Sequence, residues 1–454
     1  MTNTRLGFYG GVGTVTGANF FLETPQNKFL IDCGMFQGKK VCDDANYSHF
    51  MYEPSNIDFL LVTHAHLDHV GRIPQLVGAG FKGVIYSTPE TRKLTELMLA
   101  DAVHIIEQEA KECGMAAPYT QEDVQKAFSG WETVEYYTPK HIGDCVVTLK
   151  DAGHILGSSV IEITHEAFGK LVFTGDLGSP HSGILRDADI LEDANYLVIE
   201  SVYGDRVHEK EDDRISILED VIEDIVAKKG TLLIPTFSIE RTQAVLTDLN
   251  TLVENQRIPR VPVFLDSPLA IKVTEVYRGA TKNFNKETQD AIASGDDIFA
   301  FTGLTLATTV EASKAINDIP GPKIILAGSG MSHGGRIIHH EKRYLSDSKN
   351  VLLIVGYQAA GSIGRQLQDG AKEITIGNVT IPVRARIEVI HGYSGHRDVN
   401  GLLDYVSSTH RTLKRAFVTM GEPKASQFFV QRLRDYLGVN AILPQLGETF
   451  DLSE

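Results

Sequence analysis

The feature that constrains this chain most is a run of metal-ligating residue types directly after an apolar segment. Residues 57–63 are apolar enough for a buried strand, and the next positions read H-x-H-x-D-H, formed by His64, His66, Asp68 and His69. On an extended chain His64 and His66 project to the same side, because they are two residues apart. Asp68 and His69 follow a bend, where they can serve a second ion. Imidazole and carboxylate suit Zn²⁺, so the pattern predicts a zinc site at a strand end.

Further residues of ligand type stand in turns that follow other short apolar runs of the same region. They are Asp32, His154 and Asp176, each within two residues of a glycine. Taken singly, an aspartate in such a position is more often a turn residue. Together with the H-x-H-x-D-H run, the three predict one metal centre assembled at strand ends of a β-rich scaffold.

Patterning along the chain predicts two domains, one inserted into the other. Short apolar runs separated by glycine-rich turns dominate residues 1–205, and strand and helix signals alternate through residues 206–382. Strand followed by helix, repeated, is typical of a parallel α/β sheet. The first pattern resumes in residues 383–454. We therefore expect a β-rich domain formed by residues 1–205 and 383–454, with an α/β domain between them.

Charge and composition exclude several classes of protein. The chain has 43 Lys and Arg against 59 Asp and Glu, a net charge of −16, which argues against broad nonspecific binding of nucleic acid or of an anionic membrane. A local basic groove is not excluded, since residues 383–454 carry nine Lys and Arg against eight acids. No apolar run approaches the roughly 20 residues that span a bilayer, so we expect neither a membrane segment nor a signal peptide.

The four cysteines predict a reducing compartment. Cys33, Cys42, Cys113 and Cys145 form no CxxC pair and stand at irregular intervals. Such spacing is typical of free thiols, and it predicts a cytoplasmic protein.

The order Asp, H-x-H-x-D-H, His, Asp resembles that of the metallo-β-lactamase fold hydrolases. Segments around Glu200, the turn Ser329-Gly330-Met331 with Arg336, and Ser394-Gly395-His396 are similar to those of the RNA-processing β-CASP nucleases, relatives of the endonuclease subunit of the cleavage and polyadenylation machinery. The resemblance implies an α/β protein, a metallo-β-lactamase αββα sandwich with an inserted β-CASP domain that contains a mainly parallel sheet.

The resemblance also implies roles for the individual residues. One zinc would be held by His64, His66, His154 and Asp176, and a second by Asp68, His69 and the same Asp176, with Asp32 orienting the site. Asp68, Glu200 and His396 would be the catalytic residues. The implied activity is hydrolysis of single-stranded RNA by metal-activated hydroxide, endonucleolytic by default, with His396 as general acid paired to Glu200.

One position departs from the pattern of the RNA-cleaving members. Where they carry a histidine that completes the second zinc site, this chain has Met420 before Gly421 and Glu422. A thioether is a poor ligand for Zn²⁺, so we expect two zinc ions with the second more weakly held. His391 is a candidate substitute ligand, although a histidine at a strand end more often has no such role.

A glycine-rich turn offers contacts for the substrate. Residues 324–332 form an apolar strand that enters this turn before a helical stretch, so backbone amides there can hold a phosphate. Ser329 and Arg336 are the predicted substrate-binding residues, Arg336 as a fork donor to the anion.

The sequence leaves several alternatives to an RNA endonuclease open. The chain could be an RNA-binding partner of an active paralogue with little or no activity, a DNA-directed β-CASP enzyme, or a 5′ exonuclease. Hydrolysis of a small thioester or lactam is disfavoured, because those enzymes lack an inserted domain. Single-stranded RNA is the expected partner, and a homodimer is a further expectation.

Overall fold

The computed structural model describes residues 4–37, 44–180, 183–208 and 211–452. The chain divides into two compact units. Unit 1 comprises Met1–Pro180, Asp187–Val207 and His396–Glu454, and unit 2 comprises His181–Arg186 and His208–Gly395. Cys42 lies outside the described residues.

The described strands, in chain order, are β1 (Arg5–Phe8), β2 (Phe20–Glu23), β3 (Lys28–Ile31), β4 (Phe59–Leu61), β5 (Val84–Ser87), β6 (Trp131–Thr133), β7 (Lys140–Ile142), β8 (Cys145–Asp151), β9 (Ser159–His165), β10 (Gly169–Phe173), β11 (Tyr196–Glu200), β12 (Thr231–Pro235), β13 (Val263–Asp266), β14 (Leu304–Leu306), β15 (Lys323–Ala327), β16 (Val351–Ile354), β17 (Glu373–Ile376), β18 (Val379–Pro382), β19 (Arg386–Val389), β20 (Arg415–Thr419), β21 (Ala441–Ile442) and β22 (Thr449–Asp451).

The described α-helices are α1 (Asp44–Tyr47), α2 (Leu67–Val70), α3 (Ile73–Gly78), α4 (Pro89–Glu112), α5 (Gln121–Ser129), α6 (Glu211–Lys228), α7 (Arg241–Glu254), α8 (Pro268–Arg278), α9 (Lys286–Ala293), α10 (Val310–Ala315), α11 (Ile337–Tyr344), α12 (Ile363–Gln368), α13 (Val399–Ser407) and α14 (Pro423–Leu437). Short 3₁₀ helices lie at Pro54–Asn56, Thr281–Asn283, Ile316–Asp318 and His391–Tyr393. None of the described helices is both long and apolar enough to cross a membrane.

Unit 1 is a four-layer sandwich. Its sheets have the strand orders β22-β1-β2-β3-β4-β5-β6 and β21-β20-β11-β10-β9-β8-β7. A central core joins the inner faces of the two sheets, where Phe8 and Phe20 meet Phe173 and Phe417. The outer face of the first sheet packs on helices α3, α4 and α5, and that of the second sheet on α13 and α14.

Unit 2 contains a six-stranded sheet in the order β14-β13-β15-β12-β16-β19, in which every neighbouring pair is parallel. The strands β12, β15 and β16 are buried along their whole length. Full burial is typical of a parallel sheet that is covered on both faces. A separate antiparallel hairpin is formed by β17 and β18.

Local sequence signals account for several helix starts. The Thr120 side chain accepts a hydrogen bond from the Asp123 backbone N–H, and the Asp123 side chain accepts one from the Thr120 N–H, so the two residues form a capping box at the start of α5. Helix α4 begins with Pro89 behind Thr88, whose hydroxyl accepts from the Thr91 N–H. These signals fix where the helices on the outer face of the first sheet begin.

Two features differ from the expectations. The sequence pattern predicts a second domain boundary after residue 382, whereas residues 383–395 belong to unit 2, since β19 pairs with β16 in the parallel sheet. Cys33 and Cys145 are buried free thiols, but Cys113 is disulfide-bonded, so the prediction of free thiols is wrong for Cys113. Spacing along a sequence does not report which sulfur atoms approach one another in the fold.

Candidate metal centre

The predicted ligands of unit 1 follow the carboxyl ends of parallel strands. Asp32 comes directly after β3, and His64 stands three residues beyond the end of β4. Asp176 follows β10, and Glu200 ends β11. The carboxyl ends of neighbouring parallel strands lie on the same edge of a sheet, which is where sites of this kind form.

Four ligand atoms converge on one point of unit 1. His66 Nδ1 lies 3.1 Å from His64 Nε2 and 3.2 Å from His154 Nε2. Asp176 Oδ2 lies 3.3 Å from His64 Nε2 and 3.5 Å from His154 Nε2. Within the described residues, these four form a group whose ligand atoms all lie within 4.8 Å of one another, and three of the four are buried. Three imidazoles and one carboxylate form a ligand set that could hold a divalent metal ion.

Asp32 contacts this centre through Thr63 and His69, as expected of a residue that orients the ligands. The Asp32 carboxylate accepts hydrogen bonds from the Thr63 N–H and hydroxyl, each at 2.8 Å, and lies 2.7 Å from His69 Nδ1. The Thr63 hydroxyl also lies 3.0 Å from His64 Nδ1. A contact on the far ring nitrogen fixes the rotation of a ligating imidazole and the nitrogen it presents to a metal. Thr63 was missed by the sequence analysis, although its place directly before His64 is a usable signal.

The second predicted set is Asp68, His69 and the other oxygen of Asp176. His69 Nε2 lies 3.4 Å from Asp176 Oδ1 and 4.0 Å from Asp68 Oδ2. Within the described part of the chain, His69 Nε2 and Asp176 Oδ1 are buried and have no hydrogen-bond partner. Buried polar atoms are seldom left unpaired, so two such atoms facing each other fit a cation between them.

Burial and neighbouring charges set the protonation of the ligands. Burial lowers the pKa of His66 and of His154 well below the ordinary value, which favours the neutral imidazole that a metal requires. Burial opposes protonation of His69 too, but the carboxylates of Asp176 and Asp32 raise its pKa well above the usual range. Burial would raise the pKa of Asp176, yet His69 and the other histidines lower it strongly. The carboxylate of Asp176 is therefore ionised between the two sets.

Met420 stands where a further ligand of the second set was expected. It follows β20, has a backbone φ of +45°, and is 2% exposed in the core between the two sheets. Its N–H donates to the Gly11 carbonyl at 2.7 Å, and its sulfur packs against Gly11, where a Cβ would approach it to 2.6 Å. Met420 and His69 line the same small cavity. The thioether therefore belongs to the apolar core and offers no strong ligand to that cavity.

Glu200 and His396 form the predicted pair. His396 Nδ1 lies 3.2 Å from both carboxylate oxygens of Glu200, and 3.9 Å from Asp176 Oδ2. The Glu200 side chain is fully buried and that of His396 is 17% exposed. Burial raises the pKa of Glu200, an effect that His396 opposes. Asp176, Glu200 and His396 are the second group of ligand-type atoms within 4.8 Å found among the described residues, and His391 is in neither group.

The predicted substrate contacts lie in unit 2. The Ser329 hydroxyl accepts from the N–H groups of His333 and Gly334, so it closes the glycine-rich turn. Arg336 Nη1 donates to Asp266 Oδ1 at 2.6 Å and to the Ala307 carbonyl at 2.8 Å. Arg336 is thus engaged within the fold.

Asp266 is the centre of that arrangement, and the sequence analysis did not single it out. It is fully buried at the end of β13 and also accepts from the Ser313 hydroxyl, with His340 Nε2 at 2.8 Å. Burial alone would raise its pKa, but these hydrogen bonds lower it. The signal that was available is an acidic residue at the carboxyl end of a strand in a parallel sheet.

Comparison with known families agrees with this geometry. Residues 12–220 match the profile of the Metallo-beta-lactamase superfamily, residues 242–367 that of the Beta-Casp domain, and residues 380–444 that of the Zn-dependent metallo-hydrolase RNA specificity domain.

Full-length relatives extend the match. Ribonuclease TTHA0252 of Thermus thermophilus is 36% identical over 405 residues, 89% of this chain and 91% of the relative. Transcription termination factor FttA of Methanocaldococcus jannaschii is 31% identical over 445 residues, 95% of this chain and 69% of the relative. A crystal structure of a protein of unknown function from Enterococcus faecalis V583 shares the fold, with a TM-score of 0.56 at 13% identity, and the match covers 99% of this chain and 100% of the other.

These matches confirm the predicted fold class and the resemblance stated from the sequence. They also confirm the predicted enzyme class, a metal-dependent hydrolase. The superfamily implies divalent metal, and the convergent histidine and aspartate side chains of unit 1 fit one. The chain belongs to the β-CASP family of the metallo-β-lactamase superfamily.

Proposed function

We propose that the protein hydrolyses phosphodiester bonds of single-stranded RNA in a zinc-dependent reaction. The observation that carries this proposal is the Glu200–His396 pair beside the Asp176 ligand, with His396 Nδ1 at 3.2 Å from both Glu200 oxygens and 3.9 Å from Asp176. A hydrolase that only needs an activated water has no use for such a pair. A phosphodiesterase does, because its departing ribose oxygen must take up a proton.

The residues that would hold zinc are those whose atoms converge in unit 1. The first ion would be held by His64, His66, His154 and Asp176, and the second by Asp68, His69 and Asp176. When bound, a pair of such ions supplies a nucleophile at neutral pH and withdraws negative charge from the phosphoryl group. We propose that the second ion is held more weakly, because Met420 contributes no ligand to it.

The proton transfer falls to His396. Its imidazolium would give a proton to the ribose oxygen as the bond between phosphorus and that oxygen breaks. The new bond to phosphorus would be formed by the oxygen of a water that has already lost one proton to the bulk solvent. The buried Glu200 carboxylate would orient the ring through Nδ1 and stabilise the charged imidazolium. The partial exposure of His396 gives the leaving group access to it.

RNA is favoured as the substrate by the names of the relatives and by the matched RNA specificity domain in residues 380–444. We propose that Ser329 and Arg336 shape the turn whose backbone amides meet the phosphates. Their side chains are engaged in the fold, so their contribution is indirect.

Endonucleolytic cleavage is the mode we propose, and a circular single-stranded RNA tests it directly. Such a substrate has no end, so only an endonuclease cuts it. A linear RNA that is degraded stepwise while the circle survives would instead establish the 5′ exonucleolytic mode. Matched single-stranded DNA tests the DNA-directed alternative.

Substitution of a ligand and of the acid tests the proposal on zinc-loaded protein. His66→Ala should lose one zinc per chain and all measurable cleavage. His396→Ala should keep its zinc and lower kcat by about 100-fold or more. The control is His141→Ala, an exposed histidine of β7 in the same unit, which should behave as wild type. Cleavage is followed with an internally labelled RNA, and zinc by atomic emission.

Near-zero zinc together with no cleavage by the wild-type protein would overturn the nuclease proposal. It would favour the other candidate, an RNA-binding partner of an active paralogue. The cytoplasmic location and the homodimer stay predictions, and the disulfide at Cys113 removes one argument for the former.

A further inference from the structure

The three residues Asp176–Gly178, here called the Asp176 turn, contact histidines of both predicted metal sets and also Glu200. Asp176 supplies both carboxylate oxygens that face the histidines. The Leu177 N–H donates to Glu200 Oε1 at 2.6 Å. The Gly178 N–H donates to the Ala152 carbonyl, and a Cβ on Gly178 would meet the Gly153 carbonyl oxygen at 1.8 Å. The turn therefore packs directly on the backbone next to the ligand His154.

Two carbonyls of this turn, those of Leu177 and Gly178, accept hydrogen bonds from one residue, Arg397. Its backbone N–H donates to the Leu177 carbonyl at 3.0 Å, and its side-chain Nε donates to the Gly178 carbonyl at 3.0 Å. The guanidinium also donates from Nη1 to the Gly401 carbonyl and lies 5.2 Å from the centre of the Tyr405 ring. Arg397 thus joins the turn to helix α13.

Arg397 is too deeply buried to be an ordinary surface residue whose charge is solvated by water. It is 8% exposed, and its hydrogen bonds go to backbone carbonyls. Withdrawing a guanidinium from water is costly. Here the carbonyl dipoles, the Tyr405 ring and the negative charges of Asp187, Glu200 and Asp404 oppose that cost. A guanidinium bound to the backbone in this way has a fixed orientation, which suits a residue that positions its neighbours.

What Arg397 fixes follows from its neighbours. It directly follows His396, so its two bonds to the Asp176 turn hold the backbone of the acid against that turn. The same turn donates to Glu200 through Leu177. We propose that Arg397 is the positioning residue of the acid pair, holding His396 and Glu200 in register through the Leu177 and Gly178 carbonyls. This inference rests on the proposed function, since it assigns Arg397 to the proton transfer.

Kinetics of two variants separate positioning from charge. Arg397→Gln should lower kcat by about 10- to 100-fold, the effect of displacing a reacting group by about an ångström, with KM within threefold of wild type and zinc content unchanged. Arg397→Lys keeps the charge but lacks the Nε donor, so it should remain close to Arg397→Gln. The matched control is Arg415→Gln in the same unit, whose guanidinium lies 5.9 Å from the Phe450 ring and which should keep wild-type kcat.

A substrate with a better leaving group tests whether Arg397 acts on the proton transfer to the departing oxygen. In an RNA that carries sulfur in place of the departing bridging oxygen, the leaving thiolate needs little protonation. The deficits of Arg397→Gln and of His396→Ala should both shrink to less than threefold on this RNA. The variant that combines Arg397→Gln with His396→Ala should cleave ordinary RNA no more slowly than His396→Ala alone, because both changes impair the same proton transfer.

The outcomes distinguish the possibilities. A wild-type protein that does not cleave RNA overturns the proposed function. Cleavage that fails in His396→Ala but persists in Arg397→Gln, or loss of zinc in Arg397→Gln, overturns the positioning role and leaves the proposed function intact. If Arg397→Gln does not fold, Tyr405→Leu removes the ring against the guanidinium while keeping an apolar side chain in the buried cluster, and it should show the same sulfur rescue with a smaller deficit.

Discussion

Met420 has a left-handed backbone conformation, which polar residues such as histidine adopt more readily than methionine does. Its φ of +45° is uncommon for a long apolar side chain, whereas histidine, asparagine and aspartate are enriched there. The side chain lies against Gly11 and lines a cavity with His69. The backbone therefore accommodates an imidazole without added strain, next to the buried unpaired nitrogen of His69.

Met420→His should strengthen the second zinc site. An added imidazole ligand should tighten the second dissociation constant by about tenfold or more, measured as zinc per chain against a buffered zinc series. Met420→Leu, which keeps the volume and offers no donor, should match wild type. Equal stoichiometry and affinity in all three proteins would show that another group already completes the site.

The buried side chain of Glu341 should make the stability of unit 2 depend on pH. It is fully buried in α11, accepts from the Ser332 hydroxyl through Oε1, and its burial raises its pKa from 4.5 to about 8. A raised pKa in the folded state means that folding favours the protonated acid. The stabilising contribution is thus complete below about pH 4.5 and is lost as the pH rises to about 8.

Glu341→Gln should remove this dependence. The free energy of unfolding of the variant should gain on that of wild type as the pH is raised from 5 to 8, measured by urea denaturation at each pH, since the amide stays neutral throughout. Glu254→Gln, at an exposed position of α7, should keep a constant difference from wild type. A difference for Glu341→Gln that is flat over the same range would contradict the assignment.

Among the elements, helix α14 ends at a residue in the left-handed conformation, which glycine adopts at the lowest cost. Gly438 has φ +63°, its N–H donates to the Arg434 carbonyl, and the Val439 N–H donates to the Leu433 carbonyl. No atom lies within 4 Å of where its Cβ would stand. Any cost of a side chain here is therefore a cost of the backbone conformation alone.

Gly438→Ala should destabilise the last turn of α14 by about 1 kcal/mol. Amide hydrogen exchange in that turn should accelerate by about fivefold, while exchange in α13 stays unchanged. The control is Gly279→Ala at the end of α8, where φ is −81° and alanine fits without strain. An equal effect of both substitutions would refute the conformational explanation.

Some elements could be predicted from their sequence and others could not. The strands next to the candidate site residues could be predicted, because each is a short apolar run that ends at or near a residue with a carboxylate or imidazole side chain. These residues are Asp32, His64, Asp176 and Glu200. Strand β19 has no such mark: its membership of the parallel sheet depends on its pairing with β16. The bond between Arg336 and Asp266 likewise joins residues far apart in the chain, so a free phosphate contact was the natural but incomplete interpretation of Arg336.

For the whole molecule, zinc should stabilise one unit and not the other. The candidate ligands all lie in unit 1, where His69 Nε2 and Asp176 Oδ1 are buried without partners. A ligand that binds only the folded state adds about 2.7 kcal/mol at 100 times its dissociation constant. Calorimetry with zinc and with chelator should shift the unfolding transition of unit 1 alone. A common shift of every transition would contradict this separation.

The pairing of β22 with β1 joins two parts of the chain that are synthesised far apart in time. Strand β22 pairs with β1, and the Leu452 N–H donates to the Thr4 carbonyl. On the ribosome, β1 is made before unit 2 and β22 after it. Until β22 is made, the backbone N–H and C=O groups on that side of β1 have no strand to pair with, so the nascent first sheet exposes them while unit 2 is being synthesised.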